Sequence, residues 1–97
     1  MAFVVAATWM AKPGKEQHIR EIIELLTPLS RAEPANLFYQ AQVHPDEPGT
    51  FFLYELYTDA DAYEAHKAAG YFQEHVFNDA IHHLESREVK TYYTIDA

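Results

Sequence analysis

Four segments that read as strands, one long helix, a second helical stretch in two pieces and a turn marked by composition predict an α+β fold of order β-α-β-β-α-β. This is the ferredoxin-like arrangement, a four-stranded antiparallel sheet with helices on one face. Three observations carry it. Apolar runs of strand length lie near both ends, isoleucine and leucine recur at helical spacing after the first, and a short Pro/Gly turn joins two strand-like segments in the middle.

Residues 3–11, Phe-Val-Val-Ala-Ala-Thr-Trp-Met-Ala, read as the first strand and stop at Pro13-Gly14. From residue 15 to about 31, Ile19, Ile22, Ile23, Leu26 and Leu29 fall on one helical face. Pro28 is expected to kink that helix or end it early. Pro34 forces a break, and 37–44 alternates as a second strand. The turn His44-Pro-Asp-Glu-Pro-Gly49 leads into a third strand, 51–57, so the two strands form an antiparallel hairpin. Thr58 or Asp59 caps a short helix that runs to about Ala69, where Gly70 is expected to end it in a left-handed conformation. A second helical piece over about 71–84 and a last strand over 89–95 complete the order.

The strands are apolar on both faces. Phe3, Val5, Ala7 and Trp9 alternate with Val4, Ala6, Thr8 and Met10, and Phe51 and Leu53 alternate with Phe52, Tyr54 and Leu56. A solvated antiparallel face is polar, and helices can cover only one side of this sheet. A second copy of the chain, sheet against sheet, is the simplest cover, so a homodimer is expected.

At 97 residues the chain is expected to form one domain spanning 1–97, with no room for a second core. A net charge of −8 without a basic patch disfavours nucleic acid and anionic membrane surfaces. The absence of cysteine excludes disulfides, thiolate metal sites and a cysteine nucleophile. Neither a signal peptide nor a membrane span is legible, so the expected location is cytoplasmic. The three glycines, Gly14, Gly49 and Gly70, lie far apart, so no Gly-rich loop can cradle a nucleotide phosphate. An enzyme built on this chain is expected to work without NAD or bound flavin.

Glu55 is the most informative single residue, because it interrupts the run Phe-Phe-Leu-Tyr-Glu-Leu-Tyr. A buried carboxylate either finds a partner or stays protonated, whereas one near a strand end stays half exposed. His66 shares a helical stripe with Ala62 and Ala69, beside Ala65, and small neighbours leave room for a pocket against the sheet. The same pattern suits a core histidine satisfied by a carbonyl. His75, Asp79 and His82 share another stripe with metal-ligand spacing, but apolar residues opposite centre that stripe on solvent. No metal site is therefore expected, and His83 and His44 give no strong signal. Trp9, Tyr39, Tyr54, Tyr57 and Phe72 are the candidates for lining a cavity for a flat aromatic ligand, with Tyr93 beside them, although aromatics are also ordinary core material.

Four stretches resemble the antibiotic biosynthesis monooxygenase family: Lys12-Pro-Gly14, Leu26-Thr-Pro-Leu-Ser-Arg-Ala-Glu-Pro34, Leu53-Tyr-Glu-Leu-Tyr57 and Tyr63-Glu-Ala-His66. The resemblance implies a dimeric α+β barrel and cofactor-independent oxygenation of phenolic or quinol-type aromatics, with O2 as co-substrate. It places Glu55 and His66 at the family's recurrent acid and histidine, and Tyr57 where relatives often have tryptophan. Ala35-Asn36 departs from the glycine that often follows the Glu-Pro pair. Ala7 stands nearest the asparagine of the haem-degrading branch and His66 near its tryptophan, which speaks against haem degradation. The expected function is a monooxygenase in which His66 accepts a proton or donates a hydrogen bond while Glu55 orients or charges it. Two alternatives use the same fold: a non-catalytic small-ligand-binding dimer, and an isomerase or proton-transfer enzyme acting on a small carbonyl compound.

Overall fold

The computed structural model describes residues 1–96. The antiparallel sheet is built from β1 (Phe3–Ala11), β2 (Asn36–Val43), β3 (Thr50–Tyr57) and β4 (Leu84–Tyr93), in spatial order β2-β3-β1-β4. The helix α1 (Glu16–Arg31) joins β1 to β2, and α2 (Ala60–Ala68) follows β3. The most apolar strands, β1 and β3, therefore sit in the centre, as the βαββαβ order requires.

Register decides which side chains reach the covered face. Val5 pairs with Glu55, Ala7 with Leu53 and Trp9 with Phe51, while Tyr39 on β2 pairs with Glu55 from the other side. Ala7, Trp9, Tyr39, Phe51 and Leu53 meet Ile19, Ile22, Ile23 and Leu26 of α1 in one buried cluster, with Phe72 and Val76 beneath the same sheet, while Val5 packs with Tyr57 and Tyr63 in a second. The opposite face keeps Met10, Phe38, Phe52 and Tyr92 exposed. Helices cover one side of the sheet only.

The hairpin between β2 and β3, the Pro13-Gly14 turn and the cap of α2 follow local chemistry. Gly14 takes φ +87°, a backbone that favours glycine. The Asp59 carboxylate accepts from the Ala62 N–H at 2.8 Å, so Asp59 and not Thr58 is the cap. Asp59→Ala is expected to cost about 1 kcal/mol, read as a lower urea midpoint at unchanged slope.

Four local expectations need correction. Pro28 does not end α1 early, since it lies inside the helix, which continues to Arg31. Its missing N–H leaves only the carbonyl of Glu24 without a helical partner, and Glu24 is exposed to water. Gly70 does not close α2 in a left-handed conformation. Ala69 ends that helix in extended backbone (φ −60°, ψ 141°), and Gly70 opens the next segment. That segment is not one helix to Leu84 but a broken path: α3 (Gly70–Phe72), a π-turn (Gln73–Phe77) and a 3₁₀ turn (Ala80–His83). The wider turn, with Asn78 N–H bonded to the Gln73 carbonyl, lets both Phe72 and Val76 reach the core. Finally, β4 begins at Leu84 rather than 89. Glu85, Ser86, Arg87 and Glu88 look unlike a strand by composition, but an edge strand tolerates charge, and β1 supplies the pairing.

Candidate active site

Glu55 and His66 meet between the sheet and α2. The pairing of β3 with β1 and β2 holds Glu55 in the middle of the covered face. His66 projects from the last turn of α2 and is 2% exposed. Its Nε2 lies 3.8 Å from Glu55 Oε1. On its other edge, Nδ1 lies 2.8 Å from Glu33 Oε2. Tyr71 donates its hydroxyl to that same carboxylate oxygen. A carboxylate only accepts, so the proton of the neutral ring resides on Nδ1 and Nε2 keeps its lone pair toward Glu55.

Both protonation equilibria are displaced toward neutral forms. Burial pushes the Glu55 carboxyl up to about 7, with the Glu33 charge adding and the Tyr57 hydrogen bond and the Arg87 charge opposing. Burial lowers His66, and Glu33 partly restores it. Tyr57, itself fully buried, donates its hydroxyl to Glu55 Oε1 at 2.6 Å. Burial also raises Tyr57 and Tyr39, and the nearby Glu55 charge adds to both. These phenols therefore stay protonated, and Tyr57 acts as a donor to Glu55.

Around this pair lies a small cavity of about 10 Å³, walled by Val5, Ala7, Trp9, Tyr39, Phe72 and Arg87 among others. That is room for about one water molecule. The space expected from Ala62, Ala65 and Ala69 is filled instead. The rings of Phe72 and Tyr57 stand 4.9 and 5.5 Å from the imidazole, and Ala65 faces solvent. Two donors at the cavity, Trp9 Nε1 and Arg87 Nε, have no acceptor among the described residues. A larger groove of about 270 Å³ lies between α1 and β2, but Glu55 and His66 are not part of it.

The structure brings together five of the seven residues expected at a site. Trp9, Tyr39 and Phe72 line the cavity with Glu55 and His66. Tyr57 lies behind Glu55 and acts through its hydrogen bond. Tyr54 is a correction: adjacent to Glu55 on β3, its side chain faces the uncovered side of the sheet and packs on Phe38 at 5.8 Å. Tyr93 packs on Phe3 and is exposed. Glu33, Tyr71 and Arg87 escaped sequence reasoning. The first sits in a loop after Arg31, the second in a helical break, and the third on a strand without apolar alternation.

Removing the Tyr57 donor tests the electrostatics directly. Tyr57→Phe is expected to raise the Glu55 pKa further, by roughly one unit. Carbon-detected NMR titration of the glutamate side chains reads this shift.

The sequence model of antibiotic biosynthesis monooxygenases matches residues 2–76, a span that holds Glu33, Glu55, His66 and Tyr71. The chain belongs to the antibiotic biosynthesis monooxygenase family. Solved structures share this family's fold. A protein from Shewanella oneidensis superposes with a TM-score of 0.89 at 27% identity, covering 96% of this chain and 90% of the other. One from Mycobacterium tuberculosis gives 0.91 at 19% identity, covering 100% and 98%. A structure described as an antibiotic biosynthesis monooxygenase gives 0.88 at 24% identity, covering 96% and 98%. No curated protein matches the chain. Arg87 and β4 lie beyond the residues that the family model matches. Among the described residues, no helix is long and apolar enough to cross a membrane.

Proposed function

We propose that the chain is a cofactor-independent monooxygenase that oxidises a hydroxylated aromatic or quinol-type substrate with O2. The carrying observation is the buried pair itself: the Nε2 lone pair of His66 faces a Glu55 carboxyl poised near neutrality, 3.8 Å away. Nε2 removes a proton from the substrate hydroxyl or an activated C–H, and Glu33 steadies the imidazolium that forms. The electron-rich anion then reduces dioxygen. One oxygen atom stays in the product and the other leaves as water with two hydrogens from the substrate: both from the oxidised carbon where it is a CH2 of the anthrone type, or one from the carbon and one from the hydroxyl where it is an aromatic C–H. Trp9 Nε1 and Arg87 Nε supply hydrogen bonds to the substrate oxygen on which charge develops.

A ring system cannot fit a space for one water, so access requires Phe72 and the segment Gly70–Phe72 to swing away from the sheet. The break at Ala69 supplies a hinge position for this motion. The working unit in this proposal is a homodimer joined through the uncovered sheet face, where Met10, Phe38, Phe52 and Tyr92 are exposed. Sedimentation equilibrium should return twice the chain mass, and a monomer at micromolar concentration would contradict that part.

An oxygen electrode tests the activity with a panel of anthrones and quinols. Substrate-dependent O2 uptake is the expected result. Turnover that persists without oxygen would point to the isomerase reading. Ligand binding without any turnover would point to a binding dimer.

A further inference from the structure

We propose that His18, Asp79 and His83 form a binding site for a divalent transition ion of the zinc class. The site is separate from Glu55 and His66. It lies at the end of β1 near Ala11, six residues along the strand from Val5, or about 20 Å.

His18 converges here with Asp79 and His83, which lie some sixty residues further along the chain. His18 stands in the first turn of α1, Asp79 precedes the 3₁₀ turn Ala80–His83 and His83 is its last residue. His18 Nε2 lies 2.8 Å and His83 Nε2 3.5 Å from Asp79 Oδ1. All three ligand atoms fall within 4.8 Å of one another. Ligands about 2.0–2.2 Å from a tetrahedral zinc lie roughly 3.5 Å apart, so small side-chain rotations close the set.

The backbone that carries them is fixed. The Lys12 N–H bonds the His83 carbonyl at 2.9 Å, and the His82 N–H bonds the Asp79 carbonyl at 3.0 Å. On α1, the neighbouring Ile19 is fully buried.

Donor chemistry selects the ion. Two imidazoles and one carboxylate suit zinc, nickel or copper, whereas calcium and magnesium prefer all-oxygen sets. The side chains of His18, Asp79 and His83 are 42%, 34% and 33% exposed, which leaves the fourth position open to water. The stripe His75, Asp79 and His82 suggested by sequence spacing does not form this site, because the chain between them is not a continuous helix. His75 pairs with Glu74 instead. A bound ion ties α1 to the turn that follows Phe72 and Val76.

Calorimetric titration of zinc chloride into the chelator-treated full chain tests the proposal. One ion per chain is expected, with micromolar or tighter affinity and a melting temperature raised by about 5 °C or more at saturation. His18→Ala and His83→Ala should each weaken binding at least about 10-fold, while His75→Ala and His82→Ala leave it unchanged. Circular dichroism checks that the variants fold, and His18→Gln and His83→Gln replace any that do not. Magnesium and calcium at equal concentration should not compete. No binding at about 100 µM zinc, or equal binding by the His18/His83 double variant, would overturn the site.

Discussion

His66→Ala is expected to lower the turnover number of O2 consumption by about 10²–10⁴-fold with little change in KM. Among the described residues, the imidazole is the only group at the cavity whose lone pair is presented by a fixed tautomer. Glu33 holds Nδ1 at 2.8 Å, and Tyr71 shares that carboxylate. Removing the ring deletes the base and leaves the Phe72 and Tyr57 rings facing a void. Such a void also lowers stability, so the expected loss is separated from misfolding by a second measurement. Free imidazole, which fits the space vacated, should restore part of the rate. A variant that folds and turns over at the wild-type rate would remove His66 from the chemistry.

Glu55→Gln is expected to be more stable than the wild type above pH 7 while losing most activity. The folded carboxyl titrates at about 7 against an ordinary 4.5. The folded state therefore keeps a proton that the unfolded chain releases. Stability falls as pH rises from the ordinary value through about 7, and the full penalty, about 3 kcal/mol, is present above that. His66 has the opposite sign. Its lowered pKa costs stability in acid and adds no slope above the ordinary histidine value of 6.5. The fall between pH 6.5 and 8 thus belongs to Glu55. An amide at this position still accepts from Tyr57 but carries no charge, so the variant's urea midpoint should stay flat over that range. A wild type whose midpoint does not fall, or a variant less stable at pH 8, would contradict the burial argument.

The fold was legible because its evidence is periodic. Ile19, Ile22, Ile23 and Leu26 mark the buried face of α1 in the sequence as in the structure, and the β2–β3 hairpin follows from its Pro/Gly turn. The segment after α2 was not legible. Its path is set by Phe72 and Val76 reaching the core through a π-turn, a tertiary demand that overrides helical spacing. At the site, Glu55 stood out as a charge in an apolar run, and His66 as an imidazole among small residues. Their partners gave no such sign. Glu33 lies in a loop, Arg87 reaches Trp9 only through strand register, and Tyr54 and Glu55 separate by strand parity alone. The metal cluster shows the same limit, since His18 and Asp79 are joined by packing of elements far apart in sequence.

The most direct test of the central claim uses ¹⁸O2 and chelator-treated protein with the quinol or anthrone that gives the fastest oxygen uptake. Mass spectrometry of the product should show one labelled oxygen atom per turnover, at a rate that falls with His66→Ala. Product without label, or label incorporated equally fast by that variant, would contradict the account.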